Sequence, residues 1–214
     1  GTDTIRVSGV EELTSTTYPV MPDRIQTGTF MLAAAATLGD VTITDIVPEH
    51  VDSLTAKLIE VGAAVIVSED SVRVAMGDRP NPTSAKSMPY PGFPTDLQAP
   101  FVALLTTAKG TSIVTENVFN SRFRYVDELA RMGAQIGVDG RTAVIRGVPR
   151  LTGARLVAPD LRGGAALVIA ALMADGESVV DEIEHVARGY DGLEERLASL
   201  GAVVQREEGS GVAV

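Results

Sequence analysis

The sequence predicts an α/β fold turned inside out, with three buried helices at the centre and three small sheets and three surface helices around them. A repeated helix with one apolar stripe is the first observation behind this. Gly62-Ala63, Gly133-Ala134 and Gly201-Ala202 each close such a pattern, and apolar residues precede each Gly at minus 8, minus 4 and minus 1: Leu54, Leu58 and Val61, then Tyr125, Leu129 and Met132, then Leu193, Leu197 and Leu200. That spacing puts all three on one helix face, with Gly at the left-handed C-cap. The second observation is a helix upstream in each repeat that is apolar nearly all round: RIQTGTFMLAAAATLG, DLQAPFVALLTTAKG and DLRGGAALVIAALMADG. A helix without a polar face must be buried on every side, and packed sheets are what remains to bury it.

Taken in order, IRVSGVEELTSTTYPVMPDR aligns with AVIRGVPRLTGARLVAPDLR and is expected to open the first repeat. Asp23, Asp96 and Asp160 stand at or beside the starts of the three buried helices, and Gly39, Gly110 and Gly176 mark their ends. A strand follows each buried helix (VTITDI, TSIVTEN, ESVVDEI), then the surface helix, then a hairpin-like pair, AAVIV with VRVAM and AQIGV with TAVIRGV. The repeats are expected at approximately 4–71, 72–143 and 144–214. The linker GDRPNPTSAKSMPYPGFPTD, with five prolines between Pro80 and Pro94, reads as irregular and as functional or mobile. The last repeat ends short at GVAV. Thr4 to Val7 is therefore expected to fill the missing place beside Val203 to Arg206 or Gly211 to Val214, from the same molecule or, in a strand-swapped dimer, from another.

Composition narrows the function. The 214 residues carry 18 Lys and Arg against 28 Asp and Glu, a net charge of −10 that repels nucleic acid and anionic membranes. No stretch is long and apolar enough to span a bilayer, and the start lacks a signal-peptide pattern, so a soluble cytoplasmic protein is expected. With no cysteine and only His50 and His185, there is no material for a disulfide, a thiolate or His-rich metal site, or a Ser-His relay, and no metal or cofactor is expected. Lysine occurs only at 57, 86 and 109, which leaves 15 arginines. Arginine offers a planar fork for carboxylate and phosphate, although a GC-rich genome gives the same bias.

In a repeat fold the same loop of every unit falls on one face, so the starts of the three buried helices converge and offer unpaired N–H groups to an anion. Arg24 and Arg162 stand beside two of these starts, and Arg122 and Arg188 precede two surface helices. Four arginines on one rim suit a small polyanionic ligand; the alternative is that each pairs with its neighbouring cap aspartate. Asp96 follows the Pro-rich loop and is either a plain N-cap or a carboxylate placed to take a proton from a substrate hydroxyl. Gly163-Gly164 allows either a ligand or a neighbouring helix to approach closely.

PDRIQTGTF, PGFPTDLQAPF, ENVFNSRFRYVDELARMGA, APDLRGGAALVIAAL and ARGYDGLEERLASLGA, in that order from about Asp3 to about Glu208, resemble the C-terminal half of the UDP-N-acetylglucosamine enolpyruvyl transferase family (UDP-N-acetylglucosamine 1-carboxyvinyltransferase). The resemblance implies one lobe of an inside-out α/β barrel built from three βαβαββ repeats. It implies transfer of the enolpyruvyl group of phosphoenolpyruvate to the 3-hydroxyl of UDP-N-acetylglucosamine, the step that starts peptidoglycan synthesis, in a cleft between two lobes. By the same resemblance Asp96 takes the hydroxyl proton and the Val118 backbone touches the UDP sugar. Arg188 binds phosphoenolpyruvate, Arg122 and Arg162 give electrostatic support, and Arg24 lies beside the hinge. The partner lobe, with its Lys, further Arg residues and acid-bearing loop, is absent, so this chain alone is expected to be inactive. In the family the segment like Thr4 to Val20 belongs to the other lobe and a short N-terminal strand completes this one, while Gln26 stands where Glu is usual. An enolpyruvylshikimate phosphate synthase-like enzyme, or a noncatalytic module of the same fold, is the alternative.

Overall fold

A computed structural model describes residues 4–206 and 212–214. Three helices form its centre: α1 (Arg24–Ala36), α3 (Gln98–Leu105) and α5 (Leu161–Leu172). Every residue of α3 is buried, and so are nine of the twelve of α5, from Gly163 to Ala171, which bears out helices with no polar face. Around them lie α2 (Asp52–Glu60), α4 (Val126–Arg131), the single turn α6 (Glu184–Ala187) and α7 (Leu193–Ser199). Leu54, Leu58 and Val61 of the predicted stripe are fully buried, each fully buried leucine contributing about 1.5–3 kcal/mol of transfer free energy. The expected caps are in place, with Gly62 at φ 104°, Gly133 at 91° and Gly201 at 98°, a region a side chain would strain.

Three sheets cover these helices. The first joins β1 (Asp40–Ile43), β2 (Ala64–Val67) and β3 (Val72–Ala75) antiparallel in the order β1-β3-β2. The second is β4-β5-β7-β6, with β4 (Ser84–Lys86) parallel to β5 (Thr111–Thr115) and the hairpin β6 (Gln135–Asp139) and β7 (Thr142–Arg146) completing it. A two-residue parallel pair, β8 (Leu151–Thr152) with β10 (Ala174–Asp175), precedes the third sheet. That sheet is β12-β13-β11-β9: β9 (Arg155–Val157) parallel to β11 (Val179–Asp181), then β13 (Val212–Ala213) and β12 (Gln205–Arg206).

Three expectations need correction. Thr4 to Val7 fills no sheet: residues 4–22 carry no regular secondary structure, and Ile5 and Val7 are more than 80% exposed. The place beside β11 is taken by β13, which also pairs with β12, and bringing together segments so close in sequence costs far less chain entropy than recruiting one some 200 residues away. Gly211, the first residue of the other expected partner, lies outside the described residues. The linker is not irregular throughout, since it supplies β4, an edge strand flanked by prolines that sit outside the ladder. Finally, the hairpins β2–β3 and β6–β7 keep both arms in one sheet, so the expected limits at 71/72 and 143/144 fall at the turn before β3 and within β7.

The buried helices meet closely at one end. A Cβ on Gly28 of α1 would lie 2.4 Å from Leu97, just before α3, and one on Gly164 of α5 would lie 2.4 Å from Val186 of α6. The Gly163-Gly164 pair therefore serves helix packing.

Candidate active site

Asp23 and Asp160 cap α1 and α5 in the ordinary way. The Asp23 carboxylate accepts from the Ile25 N–H at 2.7 Å, and that of Asp160 accepts from the N–H groups of Arg162 and Gly163, both at 2.9 Å. Asp96 departs from its two counterparts. It sits in a turn of 3-10 helix, Thr95–Leu97, that precedes α3 and has no side-chain cap. With this extra turn its carboxylate caps no helix and is left for side-chain partners. One oxygen accepts from Arg122 Nη2 at 2.6 Å and the other from Arg162 Nη2 at 3.0 Å. Asp96 remains about one-third exposed while the two arginines are mostly covered, so its side chain is the most open to solvent of the three. The alternative of arginines paired with neighbouring caps thus fails for Arg162, which pairs across the rim with Asp96.

A hydrogen-bond chain extends from this pair to the start of α1. Arg162 Nη1 donates to the Tyr190 hydroxyl at 3.3 Å, and that hydroxyl lies 2.9 Å from Thr29 Oγ1, which bonds the Ile25 carbonyl. Gln26 Nε2 donates to the Gly189 carbonyl at 3.2 Å, and Arg196 donates to Gln26 Oε1. Gly189 and Tyr190 are thereby tied to α1, which fixes the backbone next to Arg188; Arg188 itself is exposed at the end of α6. The starts of α1, α3 and α5 converge as expected. Arg24 does not join the Asp96 group and instead places its guanidinium 4.9 Å from the Tyr90 ring centroid.

Val118 lies in the turn after β5, 39% exposed, with its N–H donated to the Glu116 carboxylate at 2.7 Å. Phe119 beside it is also exposed, and Arg122 lies over its ring at 5.1 Å. Sequence reasoning passed over Glu116, a buried carboxylate that also accepts from Ser87 Oγ at 2.6 Å, Thr95 Oγ1 at 2.9 Å and the Phe119 N–H at 3.0 Å. Burial raises its pKa, but these four bonds outweigh that, so it lies below its usual 4.5. The signal was present: Ser112, Val114 and Glu116 alternate along the strand, and that parity puts Glu116 on the core face. Tyr190 was equally missed, although it stands in the quoted ARGY run.

Among the described residues no group of three or more His, Cys, Asp or Glu could hold a metal ion, and no helix is long and apolar enough to cross a membrane.

The sequence profile of the EPSP synthase (3-phosphoshikimate 1-carboxyvinyltransferase) family matches residues 1–197. A UDP-N-acetylglucosamine 1-carboxyvinyltransferase of Clostridium botulinum (strain ATCC 19397 / Type A) is 54% identical over 206 residues, covering 96% of this chain and 49% of that protein. One of Desulfofundulus thermocisternus is 52% identical over 207 residues, covering 96% of this chain and 85% of that protein. The chain thus spans about half the length of most of the curated relatives it matches. Among solved structures, the enolpyruvyl transferase NikO from Streptomyces tendae superposes with a TM-score of 0.79 at 28% identity, over 87% of this chain and 44% of that one. An EPSP synthase from Acinetobacter baumannii gives 0.71 at 21% identity, over 92% and 46%, a likeness of fold.

Proposed function

Because the chain belongs to the EPSP synthase (3-phosphoshikimate 1-carboxyvinyltransferase) family, with UDP-N-acetylglucosamine 1-carboxyvinyltransferases as relatives at about half identity, we propose that it is one three-repeat lobe of an enzyme transferring the enolpyruvyl group of phosphoenolpyruvate to the 3-hydroxyl of UDP-N-acetylglucosamine. The observation that carries this reading is Asp96, withdrawn from helix capping and held by a different arginine on each oxygen. A carboxylate has about four lone-pair sites, so two braced ones leave two for a hydroxyl proton. In the proposed reaction the sugar oxygen bonds to C2 of phosphoenolpyruvate as its proton passes to Asp96, C3 gains a proton, and the tetrahedral adduct then loses phosphate from C2 and a proton from C3. Arg122 and Arg162 position the base, and positioning is the main service a rigid rim gives a two-substrate reaction. Arg188 binds phosphoenolpyruvate by its planar fork, the Val118 backbone contacts the UDP sugar, and Arg24 stands near the hinge to the rest of the protein. The groups that protonate C3 and clamp the second face come from the partner lobe, and the cytoplasm is the proposed site of action.

An open sheet edge supports the same reading. Among the described residues β1 pairs only with β3, whereas β5 and β11 each have a further parallel strand, so the first sheet has room for one more. A strand from the remainder of the protein is the proposed occupant. A second copy pairing edge to edge is the competing one.

Phosphate release, followed with both substrates on the chain alone and on the chain joined to its partner lobe, tests the proposal. The expected result is no turnover alone and sustained, UDP-N-acetylglucosamine-dependent release from the joined protein. Dependence on shikimate 3-phosphate instead would favour the enolpyruvylshikimate phosphate synthase reading, and no release with any acceptor would leave a noncatalytic module.

A further inference from the structure

Glu116 lies at the end of β5 with 1% of its surface exposed, and the four bonds to its carboxylate come from three separate segments. Oε1 accepts from Ser87 Oγ at the end of β4 and from the Val118 and Phe119 N–H groups, while Oε2 accepts from Thr95 Oγ1. Ser87 Oγ accepts in turn from the Asn117 N–H at 2.9 Å. Thr95 immediately precedes Asp96, so a single side chain ties the 117–119 turn to the segment that carries the base. Each of the four bonds to it comes from a neutral donor. A buried carboxylate without an ion-pair partner is costly unless fully hydrogen-bonded, and four donors arriving on two oxygens are more than a neutral amide, with one acceptor oxygen, receives.

Resting on the function proposed above, we infer that Glu116 is a positioning residue, locking the turn that presents the Val118 backbone to the sugar nucleotide and the segment that presents Asp96 to its hydroxyl into one unit. It touches neither substrate. Arg188 makes none of these bonds, and its neighbour Gly189 is tied to Gln26 of α1, so it is outside this lock. The inference therefore separates the substrates: disturbing Glu116 should injure UDP-N-acetylglucosamine binding and turnover and leave the apparent affinity for phosphoenolpyruvate alone.

The experiment compares Glu116→Ala and Glu116→Gln with wild type in the joined two-lobed protein, by steady-state kinetics in both substrates, thermal melts and amide hydrogen exchange. In Glu116→Ala, kcat should fall by about 10- to 100-fold and KM for UDP-N-acetylglucosamine rise by about tenfold, the scale on which misplacement by about 1 Å is felt, with KM for phosphoenolpyruvate within about threefold. The Asn117, Val118 and Phe119 amides should lose exchange protection while α5 keeps its own. Glu116→Gln, which retains one acceptor oxygen, should recover part of each effect. Should both KM values rise together, or activity drop only in step with the melting temperature, Glu116 is a stability residue and the inference fails. If Glu116→Ala unfolds the protein, Glu116→Gln with normal kinetics and unchanged amides overturns it equally. A wild-type protein without transferase activity defeats the functional reading before any variant is compared, so the two failures are distinguishable.

Discussion

Asp96 and Asp160 are the same residue type beside the starts of buried helices in successive repeats, and one turn of 3-10 helix separates their roles. One oxygen of Asp160 takes both N–H groups of its own helix, whereas the two oxygens of Asp96 go to Arg122 and Arg162. In the joined enzyme, Asp96→Asn keeps the size and some of the hydrogen bonds but removes the proton acceptor, so kcat should fall by about 10²- to 10⁴-fold with KM changed far less. Arg188→Lys keeps the charge and loses the fork, so it should raise KM for phosphoenolpyruvate and spare UDP-N-acetylglucosamine. Kinetics and melts on the same two proteins check the contrast, and a folded Asp96→Asn enzyme with near-normal turnover removes Asp96 from the mechanism. Glu116 predicts a pH effect with a definite sign. Its folded pKa lies below 4.5, so its contribution to stability is complete above that pH and is lost as pH falls through the folded value. Acid unfolding followed below about pH 5 should therefore be less steep in Glu116→Gln than in wild type.

At the scale of elements, small residues set how closely the helices approach. A Cβ on Gly164 would meet Val186 at 2.4 Å and Ala158 at 3.0 Å, and the helical backbone of α5 cannot retreat without disturbing α3. Gly164→Ala should lower stability by about 1–3 kcal/mol despite the better helix propensity of alanine, read as a fall in melting temperature; a rise would show that α6 moves aside freely. The helices were legible because their signal is repeated: the stripe ending at Gly62 recurs at Gly133 and Gly201, and an all-apolar helix allows one solution. The edge strand β4 was not. Ser84, Ala85 and Lys86 have little β propensity, and their place is set by a ladder to Ile113, Val114 and Thr115, nearly thirty residues away. The same limit hid Glu116. Alternation along β5 placed it on the core face, but its partners Ser87 and Thr95 come from a loop whose path no local pattern encodes. Asp96 and Arg162 were named from the sequence; their pairing across 66 positions could be seen only once α3 and α5 were packed together.

The whole molecule is asymmetric where its repeats are alike. Among the described residues the second and third sheets have four strands each, and the first has three, ending at β1. Beside that end, the last turns of α1 and α5 together with Leu197, Leu200, Val203 and Val214 line an open pocket of about 440 Å³ whose walls are more apolar than polar. Nearby in sequence, residues 4–22 hold Ile5, Val7, Leu13 and Val20 more than 80% exposed. Apolar surface of this extent and an unpaired strand edge are both liabilities for an isolated chain, and covering them releases the free energy that would join two lobes. The joined protein should therefore protect the outward amides of Asp40 to Ile43 from hydrogen exchange and melt at a higher temperature than this chain alone. The isolated chain should exchange those amides within the time of mixing and elute from a sizing column at a position that depends on concentration. Joining the lobes without any change in β1 protection would show that the first sheet is complete with three strands, and that the partner lobe docks on some other surface.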